Sequence, residues 1–212
     1  PLPDDISWEA AVALQVQGIS AQLLLDHVAV HGRSVLVHAG AGGVGSLLIQ
    51  LAKVRGARQV LATASTPEKR ALTLELGANV AVDYTQGSWP EQVLAATGGL
   101  GADVIIDSVG GAVRKQSFEA LATGGALVLL GYSAEVATES ADGIDPATLR
   151  ALIFKRQSIS GFLWSNFEDP KLAPRTMLEL FELVRQGALR VVSGGTFSLE
   201  RAADAHRALE GR

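Results

Sequence analysis

Two apolar stretches of different pattern are separated by a run of glycines, Gly40-Ala41-Gly42-Gly43-Val44-Gly45. Residues 34–39 form a short, largely apolar stretch, which is typical of a strand buried on both faces of a parallel sheet. In residues 46–55 the apolar side chains recur at helical spacing. The sequence therefore predicts a tight turn that leads directly from a buried strand into a helix.

The alternation of strand and helix continues along the chain. We predict further strands at residues 59–64, 80–84, 103–109, 126–130 and 157–164. We predict helices at residues 7–30, with an interruption at Gly18, and at residues 67–76, 88–96, 112–122, 174–185 and 199–209, and a surface loop at residues 133–146. Strands that alternate with helices imply right-handed crossovers and a parallel sheet. The predicted fold is α/β, a Rossmann-type doubly wound parallel six-stranded sheet with helices on both faces.

The glycine run has the composition of a turn that binds a diphosphate. Such a turn must present bare backbone N–H groups, and side chains would block the approach of the anion. We expect Gly40 to permit the tight exit from the strand, Gly42 to let the backbone approach the phosphates, and Gly45 to let the helix pack against the strand. The positive end of a helix beginning near Gly43 then faces the anion. The candidate cofactor-binding residues here are Gly40, Ala41, Gly42, Gly43 and Val44.

The identity of the dinucleotide is decided at the end of the second strand, about 20 residues beyond the turn, where NAD sites place a carboxylate. This chain has Ser65 there, followed by Lys69 and Arg70. A hydroxyl can donate to a ribose 2′-phosphate and a cation can neutralise it, so NADP(H) is the expected cofactor. The alternative is that Lys69 and Arg70 belong to a solvated helix face. A methyltransferase is disfavoured, because it expects an acidic residue in place of Ser65.

Composition excludes several classes of function. The 18 basic and 22 acidic residues give a net charge of −4 without charged blocks, which argues against a nucleic-acid partner. No apolar run approaches the roughly 20 residues that a membrane span needs, so we expect a cytoplasmic protein with a small-molecule partner. The chain has no cysteine, and its four histidines lack metal-ligand spacing, so no metal site is predicted. Neither tyrosine begins a Tyr-x-x-x-Lys pair, and no catalytic residue is proposed.

Several stretches together resemble the medium-chain dehydrogenase/reductase family, in particular its zinc-independent NADPH:quinone oxidoreductase branch. The similar stretches are residues 2–4, 8–11, 18–21, 38–45, 62–65, 68–69, 76–78, 83–84, 107–111, 131–132 and 197–206. In zinc-dependent members a cysteine ligand lies close to the helix break at Gly18, whereas this chain has Gln15-Val16-Gln17. The resemblance therefore implies the zinc-free branch.

The resemblance also implies roles for residues outside the glycine run. It places Ser65, Lys69 and Tyr84 around the 2′-phosphate, although Tyr84 could equally be a packing residue. It implies that the loop at residues 107–110 and Gly131 line the cofactor crevice at the carboxyl ends of the strands, and that two residues of the predicted sixth strand lie near the nicotinamide. The residues concerned are Ser108, Val109, Gly131, Tyr132, Phe162 and Leu163.

Family members also carry a front domain that is not found in these 212 residues. We therefore expect residues 1–30 to be a helical lead-in from a catalytic domain, residues 31–187 to be the dinucleotide-binding domain, and residues 188–212 to return toward the catalytic domain. The implied function is NADPH-dependent reduction of a quinone, enone or activated carbonyl compound by hydride transfer, with little turnover by the isolated chain. The alternative is a non-catalytic dinucleotide-binding module that forms a homodimer through an edge strand at residues 158–164.

Overall fold

Six strands form a single parallel sheet in the computed structural model, which describes residues 2–131, 146–164 and 169–210. The strands are β1 (Ser34–Val37), β2 (Gln59–Thr63), β3 (Val80–Val82), β4 (Ala102–Asp107), β5 (Leu121–Leu129) and β6 (Ser158–Gly161). Their order is β3-β2-β1-β4-β5-β6, and each neighbouring pair is parallel. This is the strand order of a Rossmann fold, with the switch point between β1 and β4. The fold predicted from the sequence is confirmed.

Helices cover both faces of the sheet. They are α1 (Trp8–Ala13), α2 (Ile19–His27), α3 (Gly43–Val54), α4 (Pro67–Glu75), α5 (Trp89–Ala96), α6 (Gly111–Ala120), α7 (Pro146–Phe154), α8 (Leu172–Arg185) and α9 (Ala202–Glu210). Alternate side chains of each central strand point to opposite faces, so Val35 and Val37 pack in one core and Leu36 in the other. The first core joins the sheet to α2, α3 and α8, and the second joins it to α5 and α6.

The strand β1 is buried along its whole length, which fixes the centre of the fold. Val35 is paired with Val60 of β2 on one side and Val104 of β4 on the other, and none of the three has accessible surface. A strand enclosed on four sides buries apolar side chains on both faces, which explains why its sequence does not alternate. The carboxyl end of β1 therefore opens at the middle of the sheet, next to the ends of β2 and β4.

Several boundaries differ from the sequence prediction, among them that of the sixth strand, which was predicted at residues 157–164 and is observed at Ser158–Gly161. The helix α3 begins at Gly43, inside the glycine run, rather than at residue 46. The predicted helix 112–122 ends at Ala120, because Leu121 already pairs with Ala102 in the sheet. The helix α7 follows directly on the predicted loop 133–146, and the sequence prediction did not include it. Of that loop, residues 133–145 lie outside the described residues.

The first helix is interrupted at Gly18, as predicted, by a π-helical turn at Leu14–Gly18. A side chain at Gly18 would collide with packed neighbours, since an added Cβ would lie 2.8 Å from Leu14 Cδ2 and 3.0 Å from Leu180 Cδ1. The missing side chain therefore lets α8 pack closely on the turn. Wide turns of this kind redirect the following helix and are frequent at functional sites.

The last part of the chain is anchored to α3 through one side chain. Gln50 donates to the carbonyl oxygen of Arg190 at 2.9 Å and accepts from its amide at 2.7 Å. Beyond this point residues 192–203 are exposed, and no described residue of α9 is buried. In the described parts of the chain, none of the helices has the length and apolar character needed to cross a membrane.

Candidate dinucleotide-binding site

The glycine run forms the turn between β1 and α3. Ala39 has the left-handed conformation, with a φ of 50°, and its carbonyl oxygen accepts from the Gly42 amide at 2.9 Å. The Gly40 amide donates to the Thr63 carbonyl oxygen at 2.8 Å, which joins the turn to the end of β2. The positive φ at the strand exit thus belongs to Ala39, and the Gly40 backbone does not need the conformational freedom of glycine.

Two glycines of the run are required by close packing. A Cβ at Gly45 would lie 2.3 Å from the Ala39 carbonyl oxygen, so only glycine lets α3 approach the end of β1. A Cβ at Gly40 would lie 2.8 Å from the Ala62 Cβ of β2. The packing role expected for Gly45 agrees with this geometry, whereas Gly40 serves the contact with β2.

The amino terminus of α3 is open to an anion. Gly42 precedes the helix and has no side chain that could cap the first amides of α3. Because the first N–H groups of a helix have no partner within the helix, the amides at the start of α3 are available to a ligand. The helix dipole adds a partial positive charge at the same place. This end of α3 therefore has the backbone geometry that a diphosphate needs.

Two cations, Lys69 and Arg70, follow the end of β2, and the sequence alone could not show which of them is already paired. Arg70 binds the Asp83 carboxylate at 2.8 Å and also donates to the Ser65 carbonyl oxygen at 3.3 Å. Arg70 therefore joins the ends of β2 and β3 through Nη1, and its charge is already paired with Asp83, so its contact with a phosphate stays a prediction. Lys69 is half-buried, and the described residues provide no ion pair for its ammonium group. Of the two cations considered from the sequence, Lys69 remains the candidate.

The carboxylate of Asp83 is kept charged by its own surroundings. The hydroxyl and amide of Thr85 donate to it at 2.6 and 3.0 Å. These bonds and the Arg70 guanidinium hold the pKa of the Asp83 carboxyl below its usual range. Tyr84, next in sequence, is half-buried and packs against the second core with Val80. The packing role considered for Tyr84 is therefore present, and its contact with a phosphate stays a prediction.

A buried carboxylate organises the opposite rim of the site. Asp107 ends β4 without accessible surface and accepts from the amides of Val109 at 2.8 Å and Gly110 at 3.0 Å. Its other oxygen accepts from Arg114 Nε at 3.0 Å, and Arg114 also donates to the Gly131 carbonyl oxygen at 3.0 Å. The loop after β4 and the segment after β5 are thus joined through one carboxylate and one guanidinium.

Arg114 was not identified from the sequence. The only available signal was a cation seven residues beyond the aspartate that ends a buried strand, which is a weak pattern. The structure does bring the predicted residues Ser108, Val109 and Gly131 together, since a Cβ at Gly131 would lie 3.3 Å from the Ser108 carbonyl oxygen. Their contact with a cofactor stays a prediction.

His38 lies buried beneath the turn. Its Nδ1 is 3.0 Å from the Thr63 hydroxyl, its Nε2 is 3.0 Å from the Ser117 hydroxyl, and its ring meets the edge of Trp89 at 5.1 Å. Burial lowers the pKa of the imidazole to about 4, an effect that the Asp107 carboxylate partly opposes. The buried position of His38 was not predicted from the sequence, because nothing local distinguishes it from the other three histidines.

A cleft of about 600 Å³ opens beside the start of α3. Its lining includes Gln17 of the π-helical turn, Gly43 and Ser46 of α3, and the aromatic side chains of Trp8 and Phe197. A Cβ at Gly43 would lie 3.1 Å from Gln17 Cγ, so the glutamine side chain lies directly over the first turn of α3. The position of Gln17 over α3 was not predicted from the sequence, where Gln17 was noted only because zinc-dependent relatives have a cysteine nearby.

Comparison with known proteins gives the family. The profile of the family described as zinc-binding dehydrogenase matches residues 43–197, more than half of the chain. The quinone oxidoreductase of Pseudomonas aeruginosa is 33% identical over 216 residues, which cover 100% of this chain and 64% of that protein. The chain belongs to the medium-chain dehydrogenase/reductase family. The resemblance to its quinone oxidoreductase branch seen in the sequence is confirmed.

Two further relatives extend the comparison. A 2-haloacrylate reductase from Burkholderia is 32% identical over 215 residues, which cover 100% of this chain and 63% of that protein. A mycobacterial protein solved in complex with NADPH superposes with a TM-score of 0.86 at 33% identity, covering 99% of this chain and 63% of that chain. This member of the dehydrogenase/reductase family thus spans less than two thirds of the length of these relatives.

The remaining residues implied by the family resemblance differ in their placement. Phe162 is buried, with its ring 5.8 Å from that of His27, while its amide donates to the Leu129 carbonyl oxygen at 2.9 Å. Its side chain therefore belongs to the core, and a contact with the nicotinamide would involve its backbone. Leu163 is 59% exposed at the end of the sheet. Tyr132 lies outside the described residues.

Removing the guanidinium from the buried pair should destabilise the protein strongly. In Arg114→Met the Asp107 carboxylate stays buried without its cation, and we expect the free energy of unfolding to fall by about 3 kcal/mol. Arg58→Met removes a surface partner of Asp103, 3.1 Å away, and should cost less than about 1 kcal/mol. Urea unfolding of both variants measures the difference. Equal losses would show that the buried pair has no special role.

The buried imidazole should make stability depend on pH. Between pH 6.5 and about 4 the unfolded chain binds a proton on His38 and the folded chain does not, so the free energy of unfolding should fall as the pH drops through this window. Across this window the free energy of unfolding of the wild type should fall by about 3 kcal/mol more than that of His38→Gln. Urea unfolding across this pH range measures it. His206→Gln, at an exposed histidine, is the control and should retain the wild-type dependence. Parallel curves for wild type and His38→Gln would contradict this expectation.

Proposed function

We propose that this chain is the NADPH-binding part of an oxidoreductase that reduces a quinone, an enone or another activated carbonyl compound without zinc. The names of the relatives support this reaction class, because they include a quinone oxidoreductase and a 2-haloacrylate reductase. The absence of cysteine from the sequence and the presence of Gln17 beside the helix break support a zinc-free site. The described residues contain no cluster of three potential metal ligands.

The observation that carries the proposal is the charge arrangement at the end of β2. Ser65 follows the strand where an NAD site would have a carboxylate, and the Lys69 ammonium has no ion pair within the described residues. The nearby carboxylate, Asp83, is neutralised by Arg70 at 2.8 Å. A phosphorylated ribose would therefore meet a hydroxyl and a cation, and no unpaired carboxylate from these strand ends would repel it.

The backbone around the turn fits the rest of a dinucleotide. The diphosphate would be held by the amides at the start of α3, and the loops after β4 and β5 would border the nicotinamide half. When bound, NADPH supplies the hydride. The two ends of the cofactor would then lie on opposite sides of the switch point between β1 and β4, where ligands bind in open parallel sheets.

The contribution of the chain to the reaction is proposed to be positional. His38 is buried between two hydroxyl groups, and Asp107 is saturated by two amides and a guanidinium. Neither group can exchange a proton with a substrate without breaking these bonds. Holding the nicotinamide against an electrophile while water is excluded is sufficient to accelerate hydride transfer, because orientation supplies a large part of the barrier reduction.

A substrate-binding domain outside these 212 residues is proposed to cover the cleft beside α3. Trp8 is 75% exposed and Val12 67%, both on α1, and Leu209 is 56% exposed near the other end of the chain, and all three line this cleft. Apolar side chains gathered around a cleft are typical of an interface. Accordingly, residues 1–30 and 188–212 are proposed to connect residues 31–187 to that domain.

A dimerisation module is the second candidate, and one observation favours it. The strand β6 is an edge of the sheet, and two of its four residues are exposed. In the preceding helix α7, Ile153 is 72% exposed and Phe154 is 81% exposed. An open edge beside apolar side chains favours pairing with a second copy. A sedimentation experiment gives the oligomeric state, and NADPH binding without reductase activity in the whole protein would favour this candidate over the enzyme.

Cofactor selection should depend on Lys69. In Lys69→Ala the 2′-phosphate loses its cation, so the Kd for NADPH should rise about tenfold or more while the Kd for NADH changes less than about twofold. Fluorescence titration of the reduced nicotinamide measures both constants. Lys171→Ala, at an exposed lysine before α8, is the matched control and should bind both cofactors as the wild type does. Equal weakening for both cofactors would contradict NADPH selection.

The isolated 212-residue chain should bind NADPH and still reduce quinones slowly. The pocket on the substrate side is formed only in part by these residues, so we expect a turnover at least about a hundredfold below that of a full-length relative, since orientation is lost. Oxidation of NADPH with a benzoquinone acceptor measures the rate. A rate equal to that of the Pseudomonas aeruginosa quinone oxidoreductase, assayed in parallel, would refute the proposed division of the site.

A further inference from the structure

The hydroxyl of Thr63 lies between the imidazole of His38 and the backbone of the phosphate turn. Its oxygen is 3.3 Å from the Ala39 nitrogen and 3.0 Å from His38 Nδ1. A backbone N–H can only donate, so the Thr63 oxygen accepts from Ala39. The hydroxyl proton can then be donated to His38 Nδ1 in the tautomer that carries the ring proton on Nε2.

The opposite side of the imidazole gives the same tautomer. The Ser117 hydroxyl donates to the Val113 carbonyl oxygen at 2.8 Å, so toward His38 it can only accept. The proton must therefore reside on Nε2, which lies 3.0 Å from the Ser117 oxygen. The Ser117 hydroxyl thus selects the proton on Nε2, a neutral ring in this tautomer accepts from Thr63 at Nδ1, and the T-shaped contact with Trp89, whose ring centroid is 5.1 Å away, fixes the plane of the ring. The hydrogen bonds run in one direction from Ala39 through Thr63 and His38 to Ser117.

Ala39 is the residue that this chain of hydrogen bonds holds in place. Its φ of 50° is unfavourable for a residue with a Cβ, so the conformation persists only where its surroundings enforce it. The carbonyl oxygen of the same residue accepts from the Gly42 amide and lies against Gly45. The orientation of the Ala39 backbone therefore sets the path of the turn and the direction of the amides that follow.

We propose that His38 is a positioning residue for the dinucleotide site, which through the Thr63 hydroxyl holds Ala39 in the conformation that shapes the phosphate turn. This inference rests on the proposed function, because it assigns a role in cofactor binding. Without the hydroxyl the turn populates other conformations. The apparent affinity for the cofactor then falls in proportion to the fraction of molecules whose turn can still bind it. The buried imidazole is thus part of the support for cofactor binding, although it is sealed from the cofactor itself.

The substitution Thr63→Val tests this role, since valine has nearly the same shape and lacks the hydroxyl. We expect the Kd for NADPH to rise about tenfold, the equivalent of about 1.4 kcal/mol. Thr63→Ser keeps the hydroxyl and should restore wild-type affinity. Thr176→Val is the matched control, because its hydroxyl is buried and donates within α8, to the Leu172 carbonyl oxygen at 2.9 Å, and not to the backbone of the turn. It should lose stability and retain affinity within about twofold.

A second readout follows the turn without any cofactor. In amide NMR spectra of the cofactor-free protein, the signals of residues 39–45 should shift in Thr63→Val and stay unchanged in Thr176→Val. His38→Phe keeps a ring beside Trp89 and lacks the acceptor, so the Thr63→Val/His38→Phe double variant should bind NADPH no more weakly than Thr63→Val.

Three results would overturn the positioning role. They are unchanged affinity in Thr63→Val, equal weakening in Thr63→Val and Thr176→Val, and additive losses in the double variant. A failure of the proposed function looks different: the wild type would then bind neither NADPH nor NADH. In that case the amide spectra still decide whether Thr63 holds the turn.

Discussion

The contact between Gly45 and the carbonyl oxygen of Ala39 determines how the two central elements meet. A single added carbon at Gly45 would lie 2.3 Å from that oxygen, a distance that a folded protein does not tolerate. The helix α3 can therefore begin here only because Gly45, its third residue, has no side chain. This contact directs the helix axis toward the end of β1, and the position of the anion site follows from that direction.

The polar groups beneath this contact are buried and almost entirely satisfied by one another. His38 is bound by two hydroxyls and Asp107 by three donors, and both residues end neighbouring strands at the centre of the sheet. Buried polar groups without partners are costly, so such a network favours one arrangement over all its alternatives. The two rims of the proposed site are thus fixed by hydrogen bonds among groups of the protein itself.

The parts of the structure that the sequence predicted well are those set by local pattern. The buried strand β1, the glycine turn and the helix behind it are adjacent in sequence, so their periodicity and composition are sufficient. The boundary between α6 and β5 was missed because residues 112–122 continue an apolar helical pattern. The strand begins at Leu121 because it pairs with β4 and because Gln157 donates to the Leu121 and Ala122 carbonyl oxygens at 2.9 and 3.3 Å.

The site also combines features set by local sequence pattern with features set by contacts between distant elements. Gly45 and Lys69 are found from motif spacing, whereas the pairing of Arg114 with Asp107 and of Arg70 with Asp83 depends on contacts across elements. Sequence spacing shows which cations are near the strand ends but not which of them are already paired. The position of Gln17 over α3 likewise depends on the width of a π-helical turn, which apolar periodicity does not reveal.

The pairing of Arg70 with Asp83 has a further consequence for the proposed cofactor site. Because this guanidinium is paired, the attraction for a phosphorylated ribose comes mainly from the half-exposed ammonium of Lys69. Mobile ions screen an accessible charge over about 10 Å at 0.1 M salt and over shorter distances in more concentrated solutions. The proposed preference for NADPH over NADH should therefore vary with ionic strength and be greatest in dilute buffer.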